Sequence, residues 1–96
     1  MLECMGIILK NISEIAKMRI AGQIVREVLD AVEAACVPGV STWELNELAA
    51  RILSRAKARS AFLGYRPGGL PPYPAVLCTS VNQVVVHGIP SPREVL

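Results

Sequence analysis

Aspartate is nearly missing from this 96-residue chain, with Asp30 the single one, and His87 is its only histidine. A catalytic zinc site takes about three protein ligands and a two-metal site needs bridging carboxylates. Asp30 falls inside a helical pattern, and no glutamate stands three or four residues from His87. Cys78 and His87 alone do not make a site, so no metal centre is encoded. A Ser–His–Asp or Cys–His catalytic set lacks its orienting third group, and phosphate-cradling glycine motifs are absent. Three cysteines, Cys4, Cys36 and Cys78, are an odd number at irregular spacings. They fit neither a disulfide framework nor a zinc knuckle and point to a reducing, cytoplasmic setting. Charged residues are only 19% against 52% hydrophobic, which excludes disorder. No charge-free apolar run reaches the roughly 18 residues of a membrane span. The opening stretch, with an early Glu3, makes a poor signal peptide. The length excludes a multidomain enzyme.

Two amphipathic helices are present. From Ser13 to Cys36, Ile15, Met18, Val25, Val28, Leu29, Val32 and Ala35 recur mostly at three- and four-residue intervals and form one stripe. Asn11 and Glu14 have capping-box spacing, and Pro38-Gly39 ends the segment. Ser41 and Glu44 repeat the cap spacing before Trp43, Leu45, Leu48, Ala49, Ile52, Leu53 and Ala56. So short a connection predicts close, roughly antiparallel neighbours. Arg51, Arg55, Lys57 and Arg59 read as a solvated face rather than a nucleic-acid patch, so DNA is not an expected partner.

Residues 64–74 hold three glycines and four prolines, a density that leaves only a loop. Beyond it, Ala75–Val81 and Val84–Ile89 are rich in Val, Leu and Ile and predict two strands paired as a hairpin. Asn82-Gln83 is not a favoured two-residue turn. The expected class is therefore α/β (α+β). Two helices and two strands are too little for a closed core, so an incomplete domain with an unpaired sheet edge is expected, together with self-association through the uncovered sheet.

His87 ends an apolar run before Gly88 and Pro90. A lone histidine is more often a structural, hydrogen-bonded residue. Against that, a sharp strand end projects side chains into clefts. Phe62, Tyr65 and Tyr73, three of the four aromatic residues, lie in the flanking loop. Aromatics beside one polar group describe the lining of a small-molecule or peptide pocket. The residues themselves leave both readings open.

Five ordered blocks carry a resemblance. Glu14-Ile15-Ala16-Lys17-Met18-Arg19-Ile20-Ala21-Gly22, Pro38-Gly39-Val40-Ser41-Thr42-Trp43-Glu44-Leu45, Phe62-Leu63-Gly64-Tyr65, Val76-Leu77-Cys78-Thr79-Ser80-Val81-Asn82 and Val85-Val86-His87-Gly88-Ile89-Pro90 resemble type I methionine aminopeptidases from about residue 8 onward. The resemblance implies the pseudo-symmetric pita-bread fold of peptidase family M24. It also implies removal of the initiator methionine from nascent polypeptides with two divalent metal ions (cobalt, manganese, iron or zinc). His87 falls on the family's histidine that contacts substrate and stabilises the tetrahedral intermediate. Phe62, Tyr65, Tyr73 and Cys78 fall on or beside positions lining the methionine pocket.

Two departures matter. Arg66–Pro72 makes the loop longer than in close bacterial members. The family's metal ligands (two Asp, one His and two Glu) lie beyond the residues matched here. Residues 1–96 are thus expected to be an N-terminal fragment: a flexible lead-in at 1–10, a helical pair at 11–59, and pocket loop and strands at 60–96. No metal is expected to bind it alone, and it is expected to be inactive alone. Its partners would be the N-terminal methionine of nascent peptides, the ribosome and a missing C-terminal half, with no membrane. The competing reading is a non-catalytic peptide-binding or split-enzyme module of the same fold. Prolidases and aminopeptidase P share the architecture, but the His87 and Cys78 blocks favour the methionine enzymes.

Overall fold

The computed structural model describes residues 6–96. The first part of the expected lead-in, residues 1–5, lies outside the described residues. Helix α1 spans Ile12–Ala35 and helix α2 spans Thr42–Arg55, followed by a single 3-10 turn at Pro67–Gly69. No helix is long and apolar enough, among the described residues, to cross a membrane.

The caps act as their spacing predicts. Asn11 Oδ1 accepts from the Glu14 N–H at 2.8 Å, and Glu14 Oε1 accepts from the Asn11 N–H at 2.9 Å. Two otherwise unsatisfied donors of the first turn are thereby paired reciprocally. At α2, Ser41 Oγ accepts from the Glu44 N–H at 3.1 Å. Between the helices, the Val40 N–H reaches the Val37 carbonyl at 3.2 Å. Pro38 and Gly39 are the two central residues of that turn, and Gly39 has φ +99°, the region only glycine enters freely. Helix α2 ends with the Ala58 N–H on the Leu53 carbonyl and the Lys57 N–H on Ser54. Lys57 takes the left-handed conformation at φ +56°, so the pattern is a Schellman cap without its usual glycine.

The core is small. Val28, Ala49 and Ile52 are buried, with Ala31, Val32, Leu48, Leu53, Val76 and Leu77 packed around them. It therefore lies between the later half of α1, α2 and the segment after the proline-rich loop. Of the α1 stripe only Val28 is buried, while Ile15, Met18, Val25 and Leu29 are exposed. The first half of the helix is bare. Arg51, Arg55, Lys57 and Arg59 are all exposed.

The hairpin is not formed. No strand occurs among the described residues, and the runs 75–81 and 84–89 share only two backbone hydrogen bonds, Val84 N–H to the Val81 carbonyl at 3.1 Å across the turn and Thr79 N–H to the Gly88 carbonyl at 2.7 Å. The physical reason is competition for the backbone groups. Asn46 Oδ1 takes the N–H groups of Val76 and Leu77, the Tyr73 hydroxyl faces the carbonyls of Leu77 and Gly88, and Ser80 Oγ takes the Gly88 N–H. Asn82 sits at φ +54° in the connection. An isolated two-stranded pair is marginal in water, and here side chains satisfy groups that a ladder would otherwise use. Val85 is 87% exposed as a result. With no sheet, the bare apolar surface is α1 and residues 85–89 rather than the uncovered sheet expected from the sequence.

The C-terminal residues return to the start of α2. Thr42 N–H donates to the Glu94 carbonyl at 2.8 Å, Gly39 N–H to Leu96 at 2.9 Å and Leu96 N–H to Val40 at 2.8 Å, and Ser41 and Val95 form an antiparallel bridge. Thr42 is fully buried. Its Oγ1 accepts from the Ser91 N–H at 2.9 Å and faces the Ser91 carbonyl and the Glu94 carboxylate at 3.1 and 3.2 Å. A hydroxyl has one proton, so it serves one of those two acceptors at a time.

Candidate functional site

The loop after α2 is built to present aromatic rings. Ser60 Oγ accepts from the N–H groups of Phe62 and Leu63. The backbone then pairs with itself across the proline-rich insertion. Gly64 N–H donates to the Tyr73 carbonyl, and Tyr73 N–H to the Tyr65 carbonyl, both at 2.8 Å. The long insertion 66–72 is thereby bridged at its base, with the Arg66 guanidinium donating to the Leu70 carbonyl at 2.9 Å inside it. This closure brings Tyr73 back to Phe62, whose ring meets it edge to face at a centroid distance of 6.5 Å and 83° between planes, a favourable arrangement for aromatic quadrupoles.

Tyr73 is the hub. Its hydroxyl lies 2.8 Å from the Leu77 carbonyl and 3.2 Å from that of Gly88. Burial, then a hydrogen bond with Cys78, then the charge a Cys78 thiolate would carry push its phenol up to about 12. The carbonyls of Leu77 and Gly88 thus converge on one hydroxyl, with Phe62 against the ring that carries it. Tyr65 joins through its carbonyl, while its side chain is 62% exposed.

His87 stands beside this group in an uncommon conformation. Its φ is +57°, a region that L-residues enter at a cost and that recurs at functional positions. Its side chain is exposed. Gly88 follows under a steric constraint, because a Cβ there would fall on the Thr79 carbonyl oxygen and within 2.7 Å of its carbon. Only glycine fits so close a backbone approach.

Other residues support the site without having been candidates from the sequence. Asn46, buried on α2, accepts at 2.8 Å from Val76 N–H and at 3.2 Å from Leu77 N–H and so fixes the segment that leads to Cys78. Its signal was available: one polar residue set three before Ala49 on an apolar helix face. Ser80, which holds the Gly88 N–H at 3.1 Å, lies inside the Val76–Asn82 block, but nothing in its spacing gives it this role. Thr79 Oγ1 is buried without a hydrogen-bond partner, next to the same turn.

Two surface depressions of about 430 and 460 Å3 line up with α2, the first with Leu53, Ala58, Leu63 and Val76 and the second with Leu48, Arg51 and Arg55. Neither is lined by Phe62, Tyr65, Tyr73, Cys78 or His87. The aromatic group is an open surface rather than an enclosed cavity. No cluster of three or more His, Cys, Asp or Glu side chains able to hold a metal occurs among the described residues. The donor set does not fit a metal centre.

Comparison with known proteins bears on these residues as a set. Methionine aminopeptidase B of Synechocystis is 45% identical over 91 residues, 95% of this chain and 33% of its own. A methionine aminopeptidase of Clostridium acetobutylicum is 48% identical over 90 residues, 94% of this chain and 34% of its own. That of Escherichia coli is 42% identical over 93 residues, 96% and 33%. The chain thus spans about a third of the length of the curated relatives it matches. The model of metallopeptidase family M24 matches residues 16–96. That span takes in most of α1, all of α2, the aromatic loop and the His87-Gly88 turn, and by it the chain belongs to metallopeptidase family M24.

Proposed function

We propose that this chain supplies the methionine-binding wall and a catalytic histidine to an aminopeptidase that removes the N-terminal methionine from nascent proteins. The observation that carries this reading is the edge-to-face pair of Phe62 and Tyr73, with the Tyr73 hydroxyl on the carbonyl of Leu77, the residue before Cys78. A methionine thioether is unbranched and polarisable, and its sulfur is favoured at aromatic edges. Tyr65 would cover it from the exposed side. The His87 imidazole would donate a hydrogen bond to the oxygen on which charge develops as the peptide carbonyl is attacked. In the pita-bread arrangement implied by the family, the segment carrying His87 would lie at the cleft. Residues 11–59 would then be scaffold and 60–96 the substrate side. The reaction would take place in the cytoplasm, at or near the ribosome.

Divalent metal ions supply the activated water in such enzymes. The residues described here hold no set of ligands for them, so no step through a metal is assigned to this chain. By itself the chain is accordingly inactive. The same missing donor set favours a second reading, a peptide-binding module or one half of a split enzyme. Hydrolysis of Met-Ala-Ser with cobalt or manganese separates these. The expected result is no turnover by the chain alone and turnover on mixing with the remaining two-thirds of the Clostridium relative. Binding of the peptide with no turnover in the mixture would favour the module. Turnover by the chain alone would overturn the assignment of its residues.

A further inference from the structure

Both backbone groups of Gly88 are held. Its N–H donates to Ser80 Oγ at 3.1 Å. Its carbonyl accepts from the Thr79 N–H at 2.7 Å and faces the Tyr73 hydroxyl at 3.2 Å. The missing Cβ lets Gly88 lie directly against the Thr79 carbonyl. The residue before it, His87, has φ +57°, which an L-residue holds only where its surroundings over-determine it. Among the described residues the His87 imidazole has no hydrogen bond of its own, and the side chain is exposed. With no partner on the ring, what the fold sets is the direction in which the backbone points the Cα–Cβ bond.

We propose that Ser80 and Tyr73 are positioning residues for His87: by fixing the Gly88 peptide they hold His87 in the left-handed conformation and so aim its imidazole relative to the Phe62–Tyr73 pair. Ser80 is the primary holder, because it is the partner of the Gly88 N–H. Tyr73 is the secondary one, since its single proton is shared with the closer Leu77 carbonyl, at 2.8 Å. Through Tyr73 the wall that would receive a methionine side chain is mechanically joined to the residue that would act on the peptide bond. The catalytic meaning of this arrangement rests on the peptidase reading, whereas the conformational claim does not.

His87 is the only histidine, so its ring and amide signals in an NMR spectrum of the full chain are recognised without ambiguity. A positive φ gives an intense intraresidue amide-to-Hα Overhauser effect. In the wild-type chain that effect is expected to be strong at His87. Ser80→Ala should weaken it and speed exchange of the Gly88 amide about fivefold, the factor that about 1 kcal/mol for a lost hydrogen bond corresponds to. Tyr73→Phe should give a smaller change in the same direction, and Ser80→Thr, which keeps the hydroxyl, should restore the wild-type signal. An unaltered Overhauser effect and amide exchange in the Ser80→Ala/Tyr73→Phe double variant would overturn the proposal. If Ser80→Ala loses its helical circular dichroism, the wild-type chain still decides: a protected Gly88 amide supports the proposal, and exchange at the rate of an open peptide overturns it. No readout here needs substrate, so titrating the same ring signals with methioninamide tests the pocket reading separately.

Discussion

Asn46 and Val76 are joined by a 2.8 Å hydrogen bond across thirty residues of sequence, from the buried face of α2 to the start of the segment carrying Cys78. The same Oδ1 also receives the Leu77 N–H. A side chain of α2 thereby holds the segment that leads to the candidate site. Replacing Asn46 by Ala would leave two backbone donors without their partner. The expected loss is about 2 kcal/mol, the usual cost of orphaned buried donors, read as a lower urea midpoint. An unchanged midpoint would mean that water replaces the amide freely.

Thr42→Val keeps the shape of a fully buried side chain but removes the hydroxyl that accepts from the Ser91 N–H. A destabilisation of about 1–3 kcal/mol is expected, together with faster amide exchange at Ser91 but not within the later half of α1. Uniformly faster exchange would instead show that residues 91–96 unfold with the whole chain.

The phenol of Tyr73 is pushed up to about 12 by burial and by Cys78. Its neutral form is therefore favoured in the folded state. That contribution is fully present below the unfolded value of about 10 and is lost as pH rises from there toward about 12. Absorbance titration of a Tyr65→Phe variant isolates Tyr73 as the remaining tyrosine. Its midpoint should fall in denaturant, and a single midpoint in both conditions would contradict the shift.

Gly88→Ala and Gly22→Ala should act in opposite directions. A Cβ at Gly88 collides with the Thr79 backbone, whereas at Gly22, within α1, it meets nothing within 4 Å. The first should lower the thermal midpoint and shift the His87 ring signals. The second should raise the midpoint, with a gain of about 0.5–1 kcal/mol from helix propensity.

Both helices were legible because their ends are written locally: Asn11 with Glu14, Ser41 with Glu44, and Pro38-Gly39 between them. The runs of Val and other apolar residues after residue 75 encode a preference for extended chain, but pairing depends on which partners reach the backbone first, and Asn46, Tyr73 and Ser80 do. Of the aromatic group, Phe62 and Tyr73 could be suspected from composition. Their contact could not, because it depends on how the 66–72 insertion is bridged at its base. The left-handed backbone of His87 was equally invisible, being a property of the Thr79–Gly88 approach rather than of any residue alone.

The contact between Thr42 and Ser91, forty-nine positions apart, turns the stretch between them into a closed circuit. Its closure entropy grows only slowly with length, yet it must be met before the contacts inside it are secure. The helical pair can assemble from near neighbours in sequence, whereas the aromatic loop and the His87 turn lie inside the ring and settle with its latch. Topology alone would then make the helical pair the fast-forming part of the molecule and the loop and turn between Thr42 and Ser91 the slow one.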